Sequence, residues 1–130
     1  MADLTGRPRL APPLELHQCN RHAVESGLAK PWAAFRGVEL YVGLYAKAAA
    51  LAMAFARSQR CPDGNKRLAL ILMGAFLGIN GYEVIAEEDA AADMMLAVAE
   101  APDDSIALNM LTDWLEDCVH PLEKPLSDSD

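Results

Sequence analysis

Apolar positions recur at helical spacing through most of the chain. Over residues 14–26, Leu14, His17, Arg21 and Val24 fall on one stripe, with Leu16, Cys19, Asn20 and Ala23 beside it, and Gly27 stands where helices commonly stop. The pattern predicts a first helix there. Residues 30–37 (KPWAAFRG) lie between Pro and Gly and read as either a short helix or an ordered loop over a pocket. From 38 to 57 the only charges are Glu39, Lys47 and Arg57, while Leu40, Leu44, Leu51 and Phe55 recur among many alanines, which predicts a helix buried on most sides. After the loop 58–63 (SQRCPD), the uncharged run LALILMGAFLGIN predicts a central helix that Asn80-Gly81 stops. Residues 82–86 (YEVIA) are the one segment with strand character. Residues 89–99 and 105–119 predict two closing helices, the last capped by Asp103 or Asp104.

The expected fold is therefore all-α, a helical bundle of five to six helices with at most one short β element. Composition agrees: Val, Ile and Thr together number 12 of 130 residues, a supply that starves a sheet. A single domain is expected, ordered over about residues 10–120. Residues 1–10 and 121–130 read as flexible tails, because both ends of the chain are proline-bearing and lack a periodic apolar pattern.

Charge and cysteine usage narrow the function classes. Eleven basic against 19 acidic residues give a formal net charge of -8, a field that repels phosphate backbones and argues against nucleic acid as primary partner. No uncharged run reaches the roughly 18 apolar residues of a membrane span. Cys19, Cys61 and Cys118 show neither metal-site spacing nor a disulfide framework. Unpaired thiols and the lack of an apolar leader lead to the expectation of a cytoplasmic protein.

Chemistry concentrates at the string 59–67 (QRCPDGNKR), where two apolar helices meet. A helix start exposes about four unpaired backbone N–H groups and the positive end of its dipole, so it attracts anions such as phosphate. Gly64 lets the backbone approach a ligand, Asp63 offers hard oxygens for Mg²⁺, and Lys66 and Arg67 add full charges. The plainer reading is a Pro-Asp-Gly-Asn turn with Asp63 as helix cap and two solvated cations. It leaves unexplained why two cations occupy a first turn whose dipole disfavours them.

The stretch RCPDGNKRLAL with its following apolar helix resembles the signature of the Fic/Doc superfamily, written HPFxDGNKR or HxFxDANKR, and the short chain looks closest to the Doc (death on curing) branch. The resemblance implies a helical fold whose loop-to-helix junction grips ATP, and a role as the toxin of a toxin–antitoxin module. Such toxins are phosphotransferases that move the γ-phosphate of ATP onto a hydroxyl of elongation factor Tu, whereas larger Fic relatives mostly transfer AMP. On this likeness Asp63 would hold Mg²⁺, Gly64 and Asn65 would line the anion site, and Lys66 and Arg67 would neutralise charge developing on the phosphates. An antitoxin whose C-terminal segment folds onto an apolar groove is the implied partner.

Three positions depart from the signature. Gln59 stands where the catalytic histidine is expected, and glutamine cannot act as a general base near pH 7. Cys61 replaces the anchoring phenylalanine, and Arg60 replaces Pro or an aliphatic residue. His17 and His22 on the first helix and His120 near the end are read as satisfied or solvent-facing rather than catalytic. Cys61 is read as an idle thiol before a nucleophile, and Met94, Met95, Trp32, Phe35 and Trp114 as core or groove lining. The competing reading is a non-catalytic module that binds nucleotide or antitoxin.

Overall fold

Helices α2 (Leu44–Ala56) and α3 (Asn65–Ile79) form the centre of the fold in the computed structural model, which describes residues 18–61 and 64–123. All nine residues from Ala48 to Ala56 are buried, and six of them are alanine. Alanine is the best helix former and keeps the helix surface shallow, so neighbouring backbones come close. Around this axis pack α1 (Arg21–Leu28), α4 (Glu88–Glu100) and α5 (Asp104–Cys118): α1 and α5 lie on α2, and α4 bridges α2, α3 and α5. Phe55, Met73, Leu77, Met95, Leu111 and Leu115 are fully buried where these helices meet. Each such side chain contributes roughly 1.5–3 kcal/mol by leaving water.

The all-α expectation holds, with five α-helices among the described residues. Strand content exceeds the single element expected. β1 (Ala34–Phe35) and β2 (Val38–Glu39) form one antiparallel pair, and β3 (Tyr82–Val84) and β4 (Val119–Pro121) form another. In the first pair the two-residue connection Arg36-Gly37 has φ of 52° and 81°, the doubly positive pattern of the tight turn that matches strand twist. Lys30–Trp32 just before it is a short 3-10 turn with Pro31 buried. The hairpin takes residues 38–39 out of the helix expected over 38–57, and Gly43, at φ 93°, sets the true start of α2.

Other boundaries also move. The first helix begins at Arg21, with the Asn20 side chain accepting from Ala23 N–H; residues 14–17 lie outside the described residues. Gly27 does not stop it but sits inside it, buried against Phe55 and Arg60. The chain end is engaged further than expected, because His120 and Pro121 pair with Glu83 and Tyr82, and Leu122 N–H donates to Gly81 O at 2.9 Å. Expectations for residues 1–17 and 124–130 fall outside the described residues. No helix among the described residues is long and apolar enough to cross a membrane.

Candidate functional site

Gly64 takes the N-cap position of α3 in the left-handed conformation, φ 77° and ψ 17°, and its carbonyl accepts from Leu68 N–H at 2.9 Å. A Cβ is disfavoured in that conformation, which is why glycine suits this junction. Asp63, expected at the cap and as a metal ligand, lies outside the described residues, as does Pro62. Among the described residues there is no group of three His, Cys, Asp or Glu side chains placed to hold a metal ion.

The two cations of the first turn differ in placement. Lys66 is exposed, whereas Arg67 is half-buried and its Nε is buried with no hydrogen-bond partner among the described residues. A buried donor left unpaired costs about 1–3 kcal/mol. Asn65 is buried and spends both side-chain polar atoms on the loop itself: Oδ1 accepts the Cys61 N–H at 3.0 Å and Nδ2 donates to the Cys61 carbonyl at 2.8 Å. Its amide therefore shapes the loop.

Gln59 is exposed between α2 and α3. Its neighbour Arg60 is turned inward. The Arg60 Nε donates to Ala54 O at 2.6 Å, Nη1 donates to Ala23 O, and the guanidinium lies 5.6 Å from the Phe55 ring centroid. Asn20 N–H donates to Arg60 O at 2.9 Å, which sets the start of α1 against the loop. Lys30, Tyr41, Arg57, Ser58 and Arg60 line a polar pocket of about 150 Å³ on this side of the loop.

The expectation of three unpaired thiols is overturned: Cys19 and Cys61 form a disulfide, and only Cys118 is free among the described residues. Cys61 is thus neither an idle thiol nor a nucleophile. A separation of 42 residues carries no spacing signal; folding α1 back over the end of α2 brings the two together. Neither this bond nor the inward course of Arg60 was legible, whereas Asn20 as a helix cap belongs to a readable class.

Of the described histidines, His22 neighbours Ala23, whose carbonyl accepts from Arg60, while His120 lies far from the loop. His120 pairs with Glu83 beyond the far end of α3, a helix of 15 residues and so roughly 22 Å long. His22 is exposed in the first turn of α1, and His17 lies outside the described residues. Of the apolar residues expected in core or groove, Met95 is buried and Met94 and Trp114 are partly so. Trp32, 61% exposed, is groove lining as expected, whereas Phe35 is 66% exposed. Trp32 meets Phe76 edge-on at 5.9 Å, and both line a groove of about 530 Å³.

The chain is 40% identical over 91 residues to a protein named Toxin Doc from Mycolicibacterium smegmatis (strain ATCC 700084 / mc(2)155), across 67% of this chain and 70% of that protein. No family model matches the chain, and no solved structure matches it.

Proposed function

The chain belongs to the Doc toxin family, and from that premise we propose that it is the toxin of a toxin–antitoxin module whose α3 mouth binds the phosphates of ATP. The observation that carries this reading is the unpartnered, buried Nε of Arg67 in the first turn of a helix entered through a left-handed glycine. Backbone N–H groups, Lys66 and Arg67 would surround the phosphates, and Asp63 would hold Mg²⁺. Held there, Mg²⁺ would offset the charge of the phosphates. The reaction class is transfer of the γ-phosphate to a protein hydroxyl, with elongation factor Tu as the target implied by the family. An antitoxin is the expected partner.

Gln59 weakens the transfer, since a positioned general base contributes about 10²- to 10⁴-fold in rate and a glutamine cannot accept the hydroxyl proton. Positioning and phosphate electrostatics remain. The side chain is solvent-exposed, which leaves room for a histidine at that position.

The test is incubation with Mg²⁺, elongation factor Tu and ATP labelled at either the α- or γ-phosphate, for the natural chain and for Gln59→His. γ-Label on the target from the natural chain, strengthened about 10²-fold or more by Gln59→His, supports the reading. α-Label on the target assigns AMP transfer instead. The lack of a titratable group at Gln59 also favours a second reading, a non-catalytic module that binds nucleotide or antitoxin. It predicts MgATP-dependent thermal stabilisation with no label transfer by either form. A melting temperature unmoved by MgATP, with no transfer, overturns the nucleotide reading.

A further inference from the structure

We propose that the Cys19–Cys61 pair is a thiol–disulfide exchange site through which a dithiol reductant sets how firmly Cys61, in the loop leading into α3, is held to α1. The proposal rests on the reading of that loop as the phosphate site only for its effect on ligand affinity.

Three connections suspend the loop from the start of α1, and all pass through residues 19–23 and 60–61. They are the disulfide, the Asn20 N–H to Arg60 O bond at 2.9 Å, and the Arg60 guanidinium on Ala23 O. The disulfide is the covalent one, and it ends on the same residue whose N–H and carbonyl Asn65 holds. Cutting it leaves the backbone at Cys61 tied to α1 only by exchangeable hydrogen bonds.

The two cysteines differ in exposure. Cys61 is 2% exposed and Cys19 is half-buried, which makes Cys19 the more open end of the bond to an incoming thiolate. It forms a new S–S bond to Cys19 and expels Cys61 as a thiolate, which takes a proton from water. The second thiol of the dithiol then attacks its own sulfur in the mixed disulfide and releases Cys19. Two electrons and two protons pass from the dithiol to the cysteine pair, and the dithiol leaves as its cyclic disulfide. Burial and then the Asp117 carboxylate hold the Cys118 pKa above the ordinary thiol value, which lowers its thiolate fraction as an internal competitor.

The experiment uses the full chain, oxidised or treated with dithiothreitol, with Cys118→Ser as a background and Cys19→Ser and Cys61→Ser as permanent open forms. Thiol labelling with mass spectrometry reads the bond, hydrogen exchange reads the amides of Cys61 and Asn65, and MgATP titration reads affinity. Reduction of the folded chain is expected to raise exchange at these two amides about tenfold while the α4 and α5 amides stay protected, and to weaken MgATP binding. The two serine variants are expected to reproduce the reduced form. A bond that yields only on global unfolding, or reduction that leaves exchange at Cys61 and Asn65 unchanged, overturns the proposal. If neither redox form binds MgATP, the nucleotide reading fails and the exchange arm alone decides this one.

Discussion

Arg57 and Asp104 are 47 residues apart in the chain and meet at 2.8 Å, Nε to Oδ1. The Arg57 Nη1 reaches further, donating to the carbonyls of Val98 and Ala101 at 2.8 Å each, so the residue that caps the C-terminus of α2 closes the end of α4. Asp104 is largely exposed, which leaves the ion pair itself worth little; the carbonyl bonds to a charged donor are the stronger part. Arg57→Ala is expected to cost about 2–3 kcal/mol in urea unfolding, and Asp104→Asn under about 1 kcal/mol. Arg57→Lys recovers little of the loss, because an ammonium cannot span these acceptors as a planar fork does. Equal losses at both positions would show that the ion pair, not the carbonyl closure, holds the two helices together.

Asn65→Leu removes both bonds to Cys61 and leaves its buried N–H and carbonyl without partners. The expected loss is about 2 kcal/mol or more, read as a lower melting temperature. Asn65→Asp keeps the acceptor for the Cys61 N–H but sets a carboxylate against the Cys61 carbonyl, so it is expected to rescue only part. A melting temperature unchanged in both variants would contradict the structural role given to this amide.

A Cβ at Gly27 would lie 2.7 Å and 2.8 Å from two ring carbons of Phe55 and 2.9 Å from Arg60 Nε. Phe55 is fully buried and Arg60 is held by its two carbonyl acceptors, so neither side chain has slack. Gly27→Ala is therefore expected to cost about 1–3 kcal/mol despite alanine's better helix propensity. Ser26→Ala, one residue away and exposed, serves as the control and should stay near neutral in the same denaturation series.

The helices were legible because their signals are local. The uncharged run of α3 closed by Asn80-Gly81 and the Asp103 cap of α5 can each be read within a few residues, and the structure places them as expected. The failures are non-local. Gly27 resembles a helix terminator until Phe55 and Arg60, about 30 residues on, are seen to require its missing side chain. Strand β4 forms because Tyr82–Val84 needs an edge partner, a demand invisible in the sequence of residues 119–121. At the loop into α3, motif spacing identified a junction but not that Asn65 is turned toward Cys61, nor that Cys61 is bonded to Cys19.

Cys118 provides a pH readout. Burial, with a smaller contribution from the neighbouring Asp117 carboxylate, raises its thiol pKa. Its alkylation by iodoacetamide is expected to reach half-maximal rate at higher pH than for a free thiol, and Asp117→Asn should bring that midpoint part of the way back. Since folding raises this pKa, the associated stability is present below the ordinary thiol range and is lost as pH climbs through it toward the folded value. A midpoint at or below that of a free thiol would contradict the direction.

The uninterrupted burial of α2 from Ala48 to Ala56 bears on how the molecule comes apart. A segment with no face that tolerates water cannot persist while its neighbours melt, so detachment of α3 or α5 exposes the axle and drags the remaining helices with it. Denaturation of the helical body should accordingly register as one all-or-none event, with circular dichroism and tryptophan emission moving together. A peptide spanning α2 alone is expected to be insoluble, and splitting the chain within that helix to yield two fragments that acquire structure only when mixed.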